Sequence, residues 1–147
     1  NTPMVRFKFY LLCLFLLVVC IICVSSIFAA EKAREDCRVC GMWIDQYMHT
    51  RHVLTEADGS RISFCSFTCA AKHIKKHGSD VNHLLAADYL TAELVTAKNA
   101  FYLVGGDVPP VMSYTSIIAI ADNAKAKDFQ KSHGGKIMTF NEVFTRY

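Results

Sequence analysis

A repeated pattern constrains this chain more than any other feature. Ile62-Ser63-Phe64-Cys65-Ser66 leads into Phe67 to His77 and then Gly78, while Ile118-Ala119-Ile120-Ala121-Asp122 leads into Asn123 to His133 and then Gly134. Each copy reads as a short apolar strand, a capping residue, a helix of about three turns and a closing His-Gly. Ser66 and Asp122 offer side-chain oxygens to the free amides of a first helical turn. Gly78 and Gly134 supply the left-handed residue that commonly ends a helix.

The flanking segments extend each copy into a larger unit. Tyr89 to Val95 and Lys136 to Phe140 read as the strands after the two helices, and the region around Trp43 to Leu54 and Ala100 to Val104 as the strands before them. Asp58-Gly59 is a hairpin signal between Val53-Leu54 and Ile62. Gly105 to Met112, with Pro109 and Pro110, is the looser counterpart in the second unit, and an apolar Met112 at its end is out of character for an exposed loop. The predicted fold is therefore α+β: two β-β-α-β repeats with antiparallel sheets, covering about residues 37–97 and 98–147 and preceded by an N-terminal apolar helix.

That leading segment has its own logic. Arg6 and Lys8 precede a charge-free run from Phe9 to Ala30, which Ser25, Ser26, Ala29 and Ala30 close before the charged Glu31 to Asp36. Basic, apolar and small-residue regions in that order describe an export signal, and the apolar part is long enough to span a bilayer as a retained signal-anchor. Residues 1–30 are thus expected to be a signal peptide or a membrane anchor, with residues 31–147 on the periplasmic or extracytoplasmic side. Bulky Ile27 and Phe28 fit a cleavage site badly, and Val19 fits badly ahead of Cys20 as a lipid-attachment point. Asn1-Thr2-Pro3 ahead of Met4 reads as an upstream extension.

Outside the leader, acids and bases nearly cancel. The chain has 16 Lys and Arg, of which Arg6 and Lys8 belong to the leader, against 13 Asp and Glu. The scattered bases make no nucleic-acid footprint, and Lys72, Lys75 and Lys76 are most simply the wet end of a helix.

The chemistry concentrates in cysteine. Cys13, Cys20 and Cys23 lie in the leader, while the other four form two close pairs, Cys37/Cys40 and Cys65/Cys69. In an oxidising compartment two disulfides are one outcome. The alternative is metal: two or three residues between thiols let their sulfurs converge on one ion. Cys69, in a first helical turn, also gains thiolate character from the helix dipole. Four thiolates alone would close a tetrahedral shell around Zn(II), whereas a thioether from Met42 would tilt the preference to Cu(I).

At these residues the chain resembles the NosL family. The resemblance rests on Cys37-x-x-Cys40-Gly41-Met42, Ala100 to Val104, the Pro110-Val111-Met112 loop, and Asp128-Phe129 through His133-Gly134-Gly135-Lys136-Ile137, and it covers essentially residues 37–144. It implies an extracytoplasmic copper chaperone of nitrous oxide reductase maturation, without enzymatic activity, built from two β-β-α-β units. It also implies Cu(I) held by soft ligands at Cys40, Met42 and Met112, a nitrous oxide reductase client, and membrane machinery that loads that client. Phe64-Cys65-Ser66-Phe67-Thr68-Cys69 is similar instead to the second half of YHS and TRASH metal-binding modules. Cys37, Cys65 and Cys69 thus join the expected metal ligands.

The histidines carry less. His49 and His52 fall on opposite faces of a regular strand. His73 and His77 share a helical face and could chelate a metal, although such a pair is more often a solvated helix end. His83 has no motif around it, and His133 suits a helix C-terminus. No nucleophile elbow, phosphate loop or distinctive carboxylate pair appears, and Trp43, Tyr47, Phe64, Phe67, Phe101, Tyr102, Phe129, Phe140 and Phe144 read as core and rim. Two other classes stay open: a thiol-disulfide oxidoreductase using Cys37 and Cys40, and a structural zinc module for protein interaction.

Overall fold

The computed structural model describes residues 13, 14, 16, 17 and 34–147. Two units separate, Asn1–Ala33 and Arg34–Tyr147. In the first, the described residues Cys13, Leu14, Leu16 and Leu17 are helical and exposed. The export and anchor expectation otherwise lies outside the described residues, among which no helix is long and apolar enough to cross a membrane.

The second unit contains the expected repeat. Strands β1 (His52–Thr55) and β2 (Arg61–Phe64) form a hairpin, followed by α1 (Phe67–His77), β3 (Leu84–Ala87) and β4 (Leu94–Thr96). The second copy runs β5 (Phe101–Val104), β6 (Ile117–Ile120), α2 (Asn123–His133), β7 (Lys136–Thr139) and a closing α3 (Phe140–Arg146). The sheet orders are β2-β1-β3-β4 and β6-β5-β7, with all neighbours antiparallel. In each copy the first strand is central and the strand after the helix takes its free edge. β4 and α3 are additions to that common plan.

Local chemistry explains the boundaries. Ser66 and Asp122 cap α1 and α2, their side chains accepting from the Cys69 and Lys125 amides. Gly78 ends α1 in the left-handed region, at φ 70° and ψ 23°. Gly134 also has a positive φ, 73°, but its ψ of −157° turns the chain directly into β7. Gly106 is a glycine for another reason: a Cβ there would meet the His133 carbonyl oxygen at 2.5 Å. The Gly105-Gly106 loop therefore packs backbone to backbone against the end of α2.

Two strand expectations need correction. Trp43 is extended only as an isolated antiparallel bridge to Asp36; Ile44–Tyr47 then forms a 3-10 helix, and the strand is confined to His52–Thr55. His49 and His52 accordingly do not share a strand: His49 is exposed beside it and His52 is buried in it. Nor is Tyr89 to Glu93 a strand. Asp88 captures the turn, its carboxylate accepting from the Leu90 amide at 2.8 Å and its carbonyl from the Ala92 amide at 2.7 Å. Only Leu94 onward pairs, against β3.

The two sheets meet through a shared core. Phe67 on α1 packs edge-on to Tyr102 of β5 and Phe140 of α3, with ring centroids 5.2 and 6.1 Å apart. Asp88 and Tyr89 also link the sheets: the Tyr89 amide donates to the Ala119 carbonyl of β6 at 2.8 Å, and the Asp88 carboxylate accepts from the Ala121 amide at 3.3 Å. The same core buries Cys37, Cys65 and Cys69. Fixing Phe67 against the second repeat therefore fixes the start of α1, and with it Cys69.

Candidate metal centre

The Cys37 to Met42 segment folds into a closed turn. The Cys37 amide donates to the Met42 carbonyl at 2.8 Å and the Gly41 amide to the Cys37 carbonyl at 2.9 Å. Gly41 makes the reversal at φ 74°, a conformation other residues adopt at a cost. The Arg38 amide donates to the Ser63 carbonyl at 3.1 Å, pinning the turn alongside β2. Glu35 reinforces that attachment by accepting from the Ser63 hydroxyl.

The second thiol pair comes from the strand-to-helix junction. Cys65 follows β2 directly, and its carbonyl accepts from the Thr50 hydroxyl at 2.8 Å. Cys69 lies in the first turn of α1, its amide held by the Ser66 hydroxyl oxygen at 3.4 Å.

The four sulfurs converge. The Sγ atoms of Cys37, Cys40, Cys65 and Cys69 all lie within 4.8 Å of one another. Cys40 to Cys65 is 3.4 Å and Cys65 to Cys69 is 3.7 Å. A tetrahedral ion with metal–sulfur bonds of about 2.3 Å needs sulfur separations of about 3.8 Å. The quartet is already near that size, and its cysteines are free thiols rather than disulfides. Cys37, Cys65 and Cys69 are buried and Cys40 is half-buried, so Cys40 faces the open side.

The electrostatics single out one thiolate. Hydrogen bonding from Cys65, assisted by Ser66, Cys37 and Cys40, outweighs burial and brings Cys69 down to about 6. Its neighbour moves the opposite way: Cys65 is raised, first because it donates to Cys69 and then by burial. Burial also raises Cys40, opposed by a hydrogen bond from the Met42 amide. A soft cation arriving at the quartet would meet one thiolate in place and displace protons from the others.

The structure treats the two expected thioether ligands differently. Met42 is partly buried against the core around the quartet, and its backbone both closes the turn and donates to the Cys40 sulfur. It does not begin a strand as expected, because the chain enters the 3-10 helix two residues later. Met112 lies in the β5–β6 loop, 37% exposed and at φ 56°. Holding a non-glycine residue there costs on the order of 1 kcal/mol. Its neighbour Val111 packs against the core that contains the cysteines.

Other side chains complete the surroundings. Trp43, expected in the core or its rim, is 42% exposed with the Arg34 guanidinium 3.3 Å from its ring centroid. Thr50 supports the site without any signal in the sequence. It orients the Cys65 backbone from 15 residues away, and no local pattern announces such a contact.

With this geometry in hand, comparison with known proteins decides the family. The NosL family model matches residues 29–147. The chain belongs to the NosL family. Among solved structures, that of the copper chaperone NosL from Shewanella denitrificans matches this NosL-family chain with a TM-score of 0.60 at 19% identity. The match covers 77% of this chain and 92% of that one. At that identity the likeness establishes a shared fold. A curated relative, the HTH-type transcriptional repressor CutR of Bacillus subtilis (strain 168), is 28% identical over 79 residues. Those residues are 54% of this chain and 42% of the repressor, so this NosL-family chain spans less than half of that relative's length.

Proposed function

We propose that this chain is a non-catalytic copper chaperone that carries Cu(I) as cargo at the Cys37, Cys40, Cys65 and Cys69 quartet. The observation that carries the reading is the quartet itself: four sulfurs within 4.8 Å, three buried and one open to the surface. Thiolates are soft donors suited to Cu(I), and a half-exposed member gives an incoming acceptor somewhere to attack. Family membership and the solved relative described as a copper chaperone support the same reading. Met42 and Met112 are the thioethers that would favour Cu(I) further.

Transfer follows from the exposure gradient. An acceptor's soft ligand displaces Cys40 first, leaving copper on the buried sulfurs, and the remaining bonds exchange as the acceptor shell fills. The pinned turn keeps Cys40 in place when the ion leaves, so the empty domain stays folded. We place this activity on the extracytoplasmic face of a membrane, tethered or exported by the basic and apolar leader. The client is a copper enzyme, nitrous oxide reductase, reached through its membrane maturation machinery.

Zinc is the second reading, favoured by the near-tetrahedral spacing of four thiolates, which would make the site a permanent structural cross-link. The two readings differ in whether the ion moves. Incubating Cu(I)-loaded full-length chain anaerobically with copper-free nitrous oxide reductase should transfer copper and restore the enzyme's copper absorption. Retention of copper, with the enzyme still empty even when membranes carrying its maturation machinery are added, would overturn the client assignment.

A further inference from the structure

Cys69, His73 and His77 succeed each other at intervals of four on one face of α1, so the helix continues past the quartet with two imidazoles. His73 is 8% exposed, packed against the ring of Phe64 with centroids 5.1 Å apart. Its Nε2 lies 3.3 Å from Oε1 of Glu56, in the loop after β1. The same carboxylate oxygen accepts from the Ser79 hydroxyl at 2.9 Å. His77 is exposed, with its ring centroid 4.4 Å from that of His73. These groups line an open cavity of about 570 Å³ that reaches Arg38 and Val39 in the cysteine turn.

We propose that His73, Glu56 and His77 form a second, weaker metal site for a divalent ion of the borderline class, Zn(II) or Cu(II). Around an ion with bonds of about 2.1 Å to nitrogen and oxygen, tetrahedral ligands sit about 3.4 Å apart. The 3.3 Å separation of His73 Nε2 and Glu56 Oε1 suits that arrangement and is long for a charge-assisted hydrogen bond. Ser79 holds that same carboxylate oxygen by a hydrogen bond, as outer-shell partners of metal ligands do. Among the described residues only the cysteine quartet is fully converged, so this second ion is gripped first by the buried His73 and Glu56. Rotation of the exposed His77 completes its hold.

Arg38, Lys72 and Lys76 line the same cavity and repel a dication, which keeps the site weak and exchangeable. The hard-to-borderline ligands of this site and the soft ligands of the quartet select different ions. The site therefore does not depend on copper being the quartet's cargo.

Co(II) titration of the full chain under reducing, anaerobic conditions tests this. The first equivalent should occupy the quartet and produce intense thiolate charge-transfer absorption. A second, weaker equivalent should add only weak visible bands, with no new sulfur absorption. His77→Gln, on the surface, and Glu56→Gln should each weaken the second step by about tenfold or more, and Ser79→Ala by about tenfold, leaving the first unchanged. Lys72→Gln with Lys76→Gln should tighten it. No second step in the wild-type chain, or a second step insensitive to His77→Gln, would overturn the proposal. So would weaker binding in the Lys72 and Lys76 double variant, because that cavity would then favour anions.

Discussion

His52 makes folding stability depend on pH in a way the structure specifies. It lies in the central strand of the first sheet, 1% exposed, between the rings of Phe67 and Tyr102. Its Nδ1 is 3.0 Å from the Thr50 carbonyl, and its Nε2 has no hydrogen-bond partner. That pattern requires a neutral ring, with the proton on Nδ1 donated to Thr50. Burial brings its pKa from 6.5 down to about 4, against a small opposing effect of the Thr50 bond. The unfolded chain therefore binds the proton more readily than the folded one. Stability from this group is complete above about pH 6.5, falls as pH drops, and levels off below about pH 4. A gap of that size corresponds to roughly 3 kcal/mol in full, and to about 2 kcal/mol between pH 8 and pH 5. Urea unfolding of wild type and His52→Leu at several pH values between 8 and 5, at constant salt, isolates the effect. Wild type should lose about 2 kcal/mol more than the variant over that range. Parallel stability curves would show that His52 is not held neutral, and would refute the burial argument.

Other perturbations have equally definite outcomes. Ser66→Ala removes the α1 cap and should cost about 1 kcal/mol in thermal or urea unfolding, and it should weaken metal binding through the misplacement of Cys69. Gly106→Ala puts a methyl 2.5 Å from the His133 carbonyl oxygen at φ 88°, and should destabilise the domain by more than about 2 kcal/mol with the quartet's chemistry unchanged in whatever fraction remains folded. Met42→Leu and Met112→Leu, titrated anaerobically with Cu(I) against a competing chelator, should each lower copper affinity. Unchanged affinity in both would remove the thioethers from the site.

Much of this architecture was legible because local chemistry and tertiary structure agree. The repeat around Ile62 and Ile118 carried the strand-cap-helix order, and both caps act as their side chains foretold. Asp58-Gly59 turns the β1–β2 hairpin, with Gly59 at φ 83°. The misplaced strands fail for specific reasons. Leu90 to Leu94 alternates apolar and polar residues as a strand would, but the Asp88 carboxylate and carbonyl take the Leu90 and Ala92 amides a sheet would need. The true strand β3, Leu84–Ala87, is half alanine, and alanine has little strand propensity. Ala86 and Ala87 are nonetheless fully buried, in a strand paired on both sides, with β1 and with β4. α3 did leave a signal: Thr139 and Glu142 form a reciprocal capping box spaced as such boxes are in sequence.

At the metal centre, legibility divided along the same line. Spacing alone paired Cys37 with Cys40 and Cys65 with Cys69, but only the fold brings the pairs within 4.8 Å. Thr50 and Ser63, which hold the two halves of the quartet in place, reach it through long-range hydrogen bonds, one from the Thr50 hydroxyl to the Cys65 carbonyl and one from the Arg38 amide to the Ser63 carbonyl. Such contacts have no sequence period. Glu56 was equally invisible as the partner of His73, lying 17 residues before it across a hairpin.

The central claim, that the quartet carries exchangeable copper rather than fixed zinc, is tested most directly by equilibrium competition. Full-length chain loaded with one Zn(II) would be titrated anaerobically with Cu(I) buffered by a chromophoric chelator, and the released zinc measured. Cu(I) should displace zinc stoichiometrically, the domain should keep its circular dichroism with copper or with no metal, and Cys40→Ser should slow the exchange. Retention of zinc against buffered Cu(I), or unfolding when the metal is removed, would contradict that claim.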